Sequence, residues 1–184
     1  MKQLILASGS PRRKMFFERL GLDFRQVPSR YEEDMTLDLS PSELVMELSR
    51  RKAFEVASRE DGVVVACDTM VFFDDKRLGK PKDKEDCINM LKILSGRDHQ
   101  VISGLTVMAG DKVVTDHETT EVHFRVLSDE EIERYAKTDE PYDKAGSYAI
   151  QGSASVFIDH VNGSYTNIVG LPVPLLLDML KRFH

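Results

Sequence analysis

The sequence predicts an α/β protein with a mixed sheet. Apolar, β-branched runs alternate with amphipathic helical stretches over most of the 184 residues. In the second half, turn signals at Gly110-Asp111 and Asn162-Gly163 join consecutive strand-like runs directly, which predicts antiparallel pairs. No repeat, low-complexity tract or linker interrupts this order. We therefore expect one domain over residues 1–184 that combines parallel and antiparallel strands.

The chain opens with a strand, a short turn and a helix. The apolar run at 4–7 is typical of a buried strand, and the small residues 8–10 form the turn. Ser10 is a good N-cap, and Pro11 suits the first helical position, where no backbone donor is needed. Gly21 is expected to end this helix.

Arg12 and Arg13 stand at the N-terminus of the first helix, next to Ser8 in the turn. Unpaired N–H groups and the helix dipole favour an anion there, and guanidinium groups offer paired donors to phosphate oxygens. One interpretation is a phosphate-binding loop, distinct from a Walker A loop because no Gly-Lys-Ser/Thr closes it. The other is an ordinary capped helix with two solvated arginines, and the spacing alone does not separate the two.

An acidic loop and a long helix follow a second short strand at 24–27. The loop at 29–38 contains Glu32-Glu33-Asp34, which we interpret as solvated, although a carboxylate near a phosphate site would help to hold a divalent metal. A capping box at 40–43 opens a helix to about Ala57. The basic residues 50–52 within it are interpreted as a solvated face.

The run at 63–67 predicts a central strand, buried on both faces, with Asp68-Thr69 just past its end. Ligands of α/β folds sit at the carboxyl edge of the sheet, so Asp68 is a candidate for chemistry, the alternative being a turn-forming aspartate. A hairpin turn is predicted at 74–77. Lys80 then lies on a loop constrained by Gly79 and Pro81.

The rest of the chain is predicted as alternating helices and strands. Capping residues Asp83 and Ser128 open helices that run to about Leu94 and Lys137. The remaining predicted elements are strands at 99–109, 112–126 and 156–158, a return strand at 165–169, and a final amphipathic helix after residues 170–172.

Composition excludes several classes of protein. Hydrophobic residues are 41% and charged residues 30%, which is typical of globular proteins, and the net charge of −6 argues against a nucleic-acid partner. Cys67 and Cys87 form no disulfide framework, as expected in a reducing cytosol. No apolar run approaches the roughly 20 residues of a membrane helix. Because Met1 leads directly into a strand, we expect a cytoplasmic protein without a leader or a membrane partner.

Three histidines and the candidate polar groups lead to different expectations. His99, His117 and His123 lack the spacing of metal ligands, so we predict structural or surface roles for them. An arginine-bearing anion loop, lysines on separate segments and Asp68 together predict a phosphate-handling protein. Cations hold a polyphosphate, and a carboxylate with Mg²⁺ supports attack of water on phosphorus.

Six short stretches, taken in order, resemble the Maf family of nucleoside triphosphate pyrophosphatases. The matching stretches are LILASGSPRR at 4–13, ACDTMV at 66–71, GKP at 79–81, LSGRDHQV at 94–101, DEPYDKAGSYAIQG at 139–152 and GLP at 170–172. The resemblance implies a two-lobed Maf/ITPase-like α/β fold, with a twisted mixed sheet flanked by helices and a central cleft, often in a homodimer. It also implies hydrolysis of a nucleotide between the α- and β-phosphates with Mg²⁺, or another divalent cation such as Mn²⁺.

The resemblance assigns roles to individual residues. Asp68 matches the proton acceptor of the family and, with Glu33, a position that holds the metal; the neighbouring Glu32 leaves that second ligand ambiguous. The other positions that match phosphate- and metal-binding groups are Ser8, Arg12, Arg13, Lys52 and Lys80.

Three positions resemble those that distinguish branches of the family. Arg12, Thr69 and Gln151 match the dTTP/UTP branch, whereas the 7-methyl-GTP branch tends to carry Trp, Gln and Glu. A glutamine amide can accept from N3–H and donate to O4 of uracil or thymine, whereas a glutamate suits the paired N–H donors of guanine. We therefore expect Gln151 to read the base.

Two alternatives remain open at this stage. One is a hydrolase of the same class that removes modified or non-standard pyrimidine nucleotides from the pool, which differs only in substrate ranking. The other is a non-enzymatic inhibitor of septum formation, a role historically tied to the family. That alternative requires a protein partner and an effect on division that survives mutation of Asp68.

Overall fold

The computed structural model describes residues 3–183. Met1, on which the expectation of a missing leader depends, lies outside them. The chain forms two compact units. The first comprises the described parts of Met1–Thr69, Ser103–Glu118 and Gly170–His184, and the second Met70–Ile102 and Thr119–Val169. Within residues 3–183, no helix is both long and apolar enough to span a membrane.

In the part of the chain that the structure describes, seven strands form one mixed sheet, which confirms the predicted fold class. The strands are β1 (Leu4–Leu6), β2 (Phe24–Gln26), β3 (Val63–Phe73), β4 (Lys76–Leu78), β5 (Asp98–Ala109), β6 (Lys112–Phe124) and β7 (Ile158–Asn162). Their order is β2-β1-β3-β5-β6-β7, with β4 paired to β3. β1 is parallel to β2 and β3, whereas the β3–β4 and β6–β7 pairs are antiparallel.

Within residues 3–183, six α-helices accompany the sheet, and most begin where the capping residues predict. The helices are α1 (Pro11–Arg19), α2 (Pro41–Ala57), α3 (Lys84–Leu94), α4 (Asp129–Ala136), α5 (Tyr165–Val169) and α6 (Val173–Leu180). Side-chain oxygens of Ser10, Asp83 and Ser128 accept the N3 backbone N–H of their helices. The predicted capping boxes of α2 and α4 are both formed.

Helix α2 packs on the sheet of the first unit at unusually close range. A Cβ atom placed on Gly104 of β5 would lie 2.1 Å from the carbonyl oxygen of Val45. Thr106 follows Gly104 two residues later in β5, and its buried hydroxyl lies 2.8 Å from the buried hydroxyl of Ser49 in α2. The apolar face of α2, including Ala53 and Val56, packs with Val64 and Ala66 of β3. Helix α2 is therefore held in one position along the sheet.

Strand β3 is longer than predicted, and the placement of Asp68 past its end is wrong. Residues 70–73 are also apolar, so the strand continues through Asp68 to Phe73. The parallel register pairs Leu6 with Val65, so Asp68 extends beyond the last paired residue of β1. Asp68 therefore lies in the interior of its own strand but beyond the carboxyl end of the neighbouring one.

The return strand predicted at 165–169 is also wrong, because these residues form α5. Ser164 acts as a local cap, with its Oγ accepting the Asn167 N–H at 3.3 Å. The buried Asn167 amide donates to Val101 O and to Thr120 Oγ1, both at 3.0 Å. These hydrogen bonds favour a helical turn over a strand, and β7 pairs with β6 instead.

His99 is a core residue of the second unit, as predicted. Its ring packs edge-on against Phe124 and Tyr148, and its Nε2 is 2.7 Å from the Tyr148 hydroxyl. Burial lowers the pKa of His99 to about 4, with Asp98 opposing the shift and His123 adding to it. Between about pH 6.5 and pH 4 the unfolded chain therefore binds a proton at this position that the folded chain does not.

We expect this difference to destabilise the protein in mild acid. Lowering the pH from about 7.5 to about 5 should remove about 2 kcal/mol of the free energy of unfolding through His99 alone. His99→Gln, which can still pair with Tyr148, should lose that part of the pH dependence in urea unfolding. The control His117→Gln, at an exposed histidine, should keep it. Equal pH dependence in the wild type and His99→Gln would contradict the assignment.

Candidate active site

The turn between β1 and α1 is held by its own side chains. Ser8 is 8% exposed, and its Oγ accepts the Ser10 backbone N–H at 3.2 Å and Arg13 Nη1 at 3.1 Å. The Gln26 amide of β2 donates to the Ser8 carbonyl at 2.8 Å. The predicted anion loop therefore has a fixed shape at the N-terminus of α1 before any ligand binds.

Arg13 connects this turn to two distant segments of the first unit. Its Nε donates to the Gly170 carbonyl at 2.8 Å, and its Nη2 donates to Thr69 Oγ1 at 3.2 Å. With the Ser8 contact, three of the five guanidinium N–H groups point at the protein. Arg12, in contrast, is exposed on the first helical turn.

Thr69 belongs to the same network. Its hydroxyl donates to the Gly170 carbonyl at 3.2 Å and lies 2.7 Å from Ser103 Oγ. Because a hydroxyl has a single proton, Ser103 is the donor in the second contact whenever Thr69 donates to Gly170. Sequence reasoning missed Ser103, which no local signal marks. It also gave no role to Gly170, although the Gly-Leu-Pro stretch was recognised.

A second group of charged residues lies beside the first. Lys52 Nζ is 2.6 Å from Glu33 Oε1 and 2.5 Å from Asp68 Oδ1. Alternate residues of a strand share a face, so Asp68 follows Val64 and Ala66 onto the side of β3 that packs against α2. Lys52 on α2 therefore meets Asp68. The interpretation of Lys52 as part of a solvated face is wrong, because its side chain is 14% exposed.

Electrostatics keep Lys52 charged despite its burial. Burial alone would lower the pKa of Lys52, but the charges and hydrogen bonds of Asp68 and Glu33 outweigh it and raise that pKa. Lys52 is therefore a permanent cation between two carboxylates at neutral pH.

The acidic loop is fastened to α2 rather than freely solvated. Arg51 Nη1 donates to the Tyr31 hydroxyl at 3.0 Å, and the Arg30 backbone N–H donates to Glu55 Oε2 at 2.9 Å. These contacts hold the loop against α2, where Glu33 contacts Lys52. Of the two adjacent glutamates, Glu33 is the one whose contact with Lys52 the structure shows; its role as a metal ligand stays a prediction.

One carboxylate oxygen of Asp68 is buried and has no hydrogen-bond partner among residues 3–183. The residue as a whole is 4% exposed, and the unpaired atom is Oδ2. A buried unpaired carboxylate oxygen is costly unless a ligand, water or ion completes it. Asp68 Oδ2 is therefore available as an acceptor for a ligand, a water molecule or an ion.

The second unit holds the other two predicted site residues. Lys80 is exposed and follows Gly79, whose carbonyl accepts the Gly146 N–H at 3.1 Å. Gln151 is exposed in a turn after the 3₁₀ turns Glu140–Asp143 and Ala145–Ser147. The structure thus brings Ser8, Arg13, Thr69, Glu33, Lys52 and Asp68 together in the first unit, and Lys80 and Gln151 belong to the second.

Glu140 fixes the turn that carries Gln151, a role that sequence reasoning missed. Glu140 Oε2 accepts the Ser153 backbone N–H at 3.0 Å and also the Ser153 hydroxyl. A Cβ atom on Gly152 would lie 1.7 Å from Glu140 Oε1, so a larger residue there would displace the Glu140 carboxylate from Ser153. The exposed amide of Gln151 is therefore mounted on a constrained backbone.

Comparison with known proteins identifies the family. A family model described as Maf-like protein matches residues 3–183. The chain is 45% identical to a dTTP/UTP pyrophosphatase of Bacillus anthracis, over 100% of this chain and 97% of that protein. It is 46% identical to a dTTP/UTP pyrophosphatase of Bacillus cytotoxicus, over 100% of this chain and 96% of that protein. The chain belongs to the Maf-like protein family.

The fold of this Maf family member also occurs in more distant solved structures. The Staphylococcus aureus Ham1 protein matches with a TM-score of 0.55 and 14% identity over 100% of both chains. A HAM1 protein from Coxiella burnetii matches with a TM-score of 0.52 and 13% identity, over 99% of this chain and 100% of that one. At these identities the likeness concerns the fold alone, and it agrees with the predicted α/β class.

Proposed function

We propose that this chain is a nucleoside triphosphate pyrophosphatase that hydrolyses dTTP and UTP to the monophosphate and pyrophosphate. Full-length relatives with that name, at 45% and 46% identity, support the substrate class. The structural observation that carries the proposal is the buried Asp68 carboxylate, with one oxygen on Lys52 and the other without a partner among residues 3–183.

In the proposed reaction, Asp68 prepares the attacking water. Oδ2 accepts a proton from a water molecule whose oxygen attacks the α-phosphorus, while Lys52 holds the carboxylate in place. The bond between the α-phosphorus and the bridging oxygen breaks, and pyrophosphate leaves. Arg12, Arg13, Ser8 and Lys80 are proposed to bind the phosphate oxygens, with Arg13 also keeping the turn in shape.

We propose that Mg²⁺ serves the reaction and that Mn²⁺ can replace it. Asp68 and Glu33 would hold the ion through hard carboxylate oxygens, the ligand type that Mg²⁺ prefers. Asp68 Oδ1 and Glu33 Oε1 lie on either side of Lys52 Nζ, whereas Asp68 Oδ2 is kept for the water. When bound, the ion supplies positive charge that neutralises the phosphate oxygens. A cytoplasmic homodimer remains our expectation for the working enzyme.

The decisive experiment follows the products rather than the rate alone. The purified protein is incubated with Mg²⁺ and a panel of dTTP, UTP, CTP, GTP, 7-methyl-GTP and modified pyrimidine triphosphates in ¹⁸O-labelled water. We expect pyrophosphate as the product, ¹⁸O in the monophosphate, and the highest kcat/KM for dTTP and UTP.

Other product patterns would contradict parts of this proposal. Release of orthophosphate with the diphosphate would contradict cleavage between the α- and β-phosphates. ¹⁸O in pyrophosphate would place the attack on the β-phosphorus. A higher kcat/KM for modified pyrimidine triphosphates than for dTTP would favour the alternative of a hydrolase that removes modified nucleotides from the pool.

Gln151→Glu should change substrate choice. A glutamate cannot donate to O4 and repels the acceptor edge of thymine or uracil, and each buried mismatch costs about 1–3 kcal/mol. We expect kcat/KM for dTTP and UTP to fall about 10- to 100-fold, and more than for GTP. Gln100→Glu in β5 is the matched control and should leave the ratio unchanged. Equal losses on pyrimidine and guanine nucleotides would remove the base-reading role.

A further inference from the structure

A group of metal-ligating side chains lies in the second unit, on three neighbouring strands. Asp98 begins β5, His123 is near the end of β6, and His160 is in β7. One potential ligand atom from each lies within 4.8 Å of the other two. Sequence spacing gave no sign of this group, because the partners of His123 come from strand pairing.

The three side chains are already held close to one another. His123 Nδ1 is 2.6 Å from Asp98 Oδ1. The rings of His123 and His160 face each other across the β6–β7 pair, with centroids 4.7 Å apart and an angle of 13° between their planes. Little rotamer freedom would be lost if one ion bound all three.

A β-bulge adds a fourth donor next to the group. His123 pairs with His160, but the next residue, Phe124, pairs with Ile158, so Asp159 is the extra residue of β7. In a regular strand, Asp159 and His160 would point to opposite faces. Here Asp159 Oδ2 is 3.2 Å from His160 Nδ1, and bulges commonly redirect a side chain in this way.

We propose that Asp98, His123 and His160 form a binding site for a divalent transition-metal ion of the zinc type, with Asp159 as a supporting carboxylate. Imidazole nitrogen suits Zn²⁺, Ni²⁺ and Cu²⁺, whereas Mg²⁺ prefers oxygen ligands. With bond lengths of about 2.1 Å, two ligands of one zinc ion lie about 3–4 Å apart. Small rotations of exposed side chains bring the three atoms into that range.

This site differs in chemistry from the carboxylate site of the first unit. Asp68 and Glu33 offer only oxygen, and Lys52 lies between them. The histidine site joins β5, β6 and β7, so a bound ion would link three strands of the second unit. We expect it to stabilise the folded state, because a ligand that binds only the folded chain shifts unfolding by mass action.

The test is a Zn²⁺ titration of the full chain after removal of metals by a chelator, with excess Mg²⁺ present to occupy the carboxylate site. Competition against a chromophoric chelator gives the affinity and the stoichiometry. We expect one equivalent of Zn²⁺ to bind and to raise Tm. His160→Ala and Asp98→Asn should each weaken binding at least about tenfold, whereas His117→Ala, on the same strand as His123, should leave it unchanged.

A spectroscopic readout separates ligation from an indirect effect. Cu²⁺ bound to the wild type should show nitrogen hyperfine coupling in its electron paramagnetic resonance spectrum, and His160→Ala should lose one nitrogen. His160 and Asp98 are both exposed, so these variants are expected to fold. Unchanged Zn²⁺ affinity in both variants, or no nitrogen coupling in the wild type, would overturn the proposal. Equal weakening in His117→Ala would also overturn it.

Discussion

Asp68→Asn is expected to reduce kcat for dTTP by at least about 10³-fold while the protein stays folded. The change removes the charge that we propose accepts the proton of water, and general-base catalysis alone is worth roughly 10²- to 10⁴-fold. It also removes one of the two carboxylates proposed to hold the metal. Lys52 keeps Glu33 as a partner at 2.6 Å, so the buried cation is not left alone.

The measurement is steady-state hydrolysis of dTTP together with far-ultraviolet circular dichroism and thermal unfolding. Asp75→Asn is the matched control, because Asp75 is exposed in the β3–β4 turn and asparagine tolerates its positive φ of 61°. The control should keep wild-type kcat and Tm. Near-normal turnover in Asp68→Asn would refute the role of Asp68 as proton acceptor.

Gly104→Ala is expected to cause the largest loss of stability. The added Cβ would lie 2.1 Å from Val45 O and 2.5 Å from Met46 N, and both are backbone atoms of α2 that cannot rotate away. The helix or the strand must move. We expect the free energy of unfolding to fall by more than about 3 kcal/mol, beyond the 1–3 kcal/mol usual for overpacking. Turnover at low temperature should fall as well, because α2 carries Lys52.

Urea unfolding at neutral pH measures this effect. Gly79→Ala is the control, since its added Cβ would meet only the end of the Arg77 side chain at 3.9 Å. That variant should change stability by no more than about 0.5 kcal/mol. A loss of less than about 1 kcal/mol in Gly104→Ala would mean that the helix-sheet contact is looser than its geometry indicates.

The parts of the fold that depend on local signals were predictable from the sequence. A capping box with proline at the first helical position placed α2 correctly, and the Asp83 cap placed α3, because capping interactions join residues about three apart. The return strand failed because a distant contact also contributes. Tyr165–Val169 has the composition of a strand, but the local Ser164 cap and the hydrogen bond from the buried Asn167 amide to Val101 of β5 favour a helix.

The candidate site was predictable in its residue types and less so in its arrangement. The turn with two arginines and the carboxylate at Asp68 are visible in the sequence, and the family resemblance added Lys52 and Glu33. That Lys52 joins the two carboxylates depends on how α2 lies on β3, which no local pattern encodes. The partners Ser103, Gly170 and His160 are set by tertiary contacts and strand pairing in the same way.

The contact between Arg13 and the Gly170 carbonyl has a consequence for synthesis on the ribosome. The two residues are 157 positions apart, and Thr69 uses the same carbonyl. A nascent chain therefore completes its arginine turn only after nearly all of it has been translated. A product cut short before Gly170 would lack this acceptor, so the opening turn of the protein depends on an intact carboxyl-terminal segment.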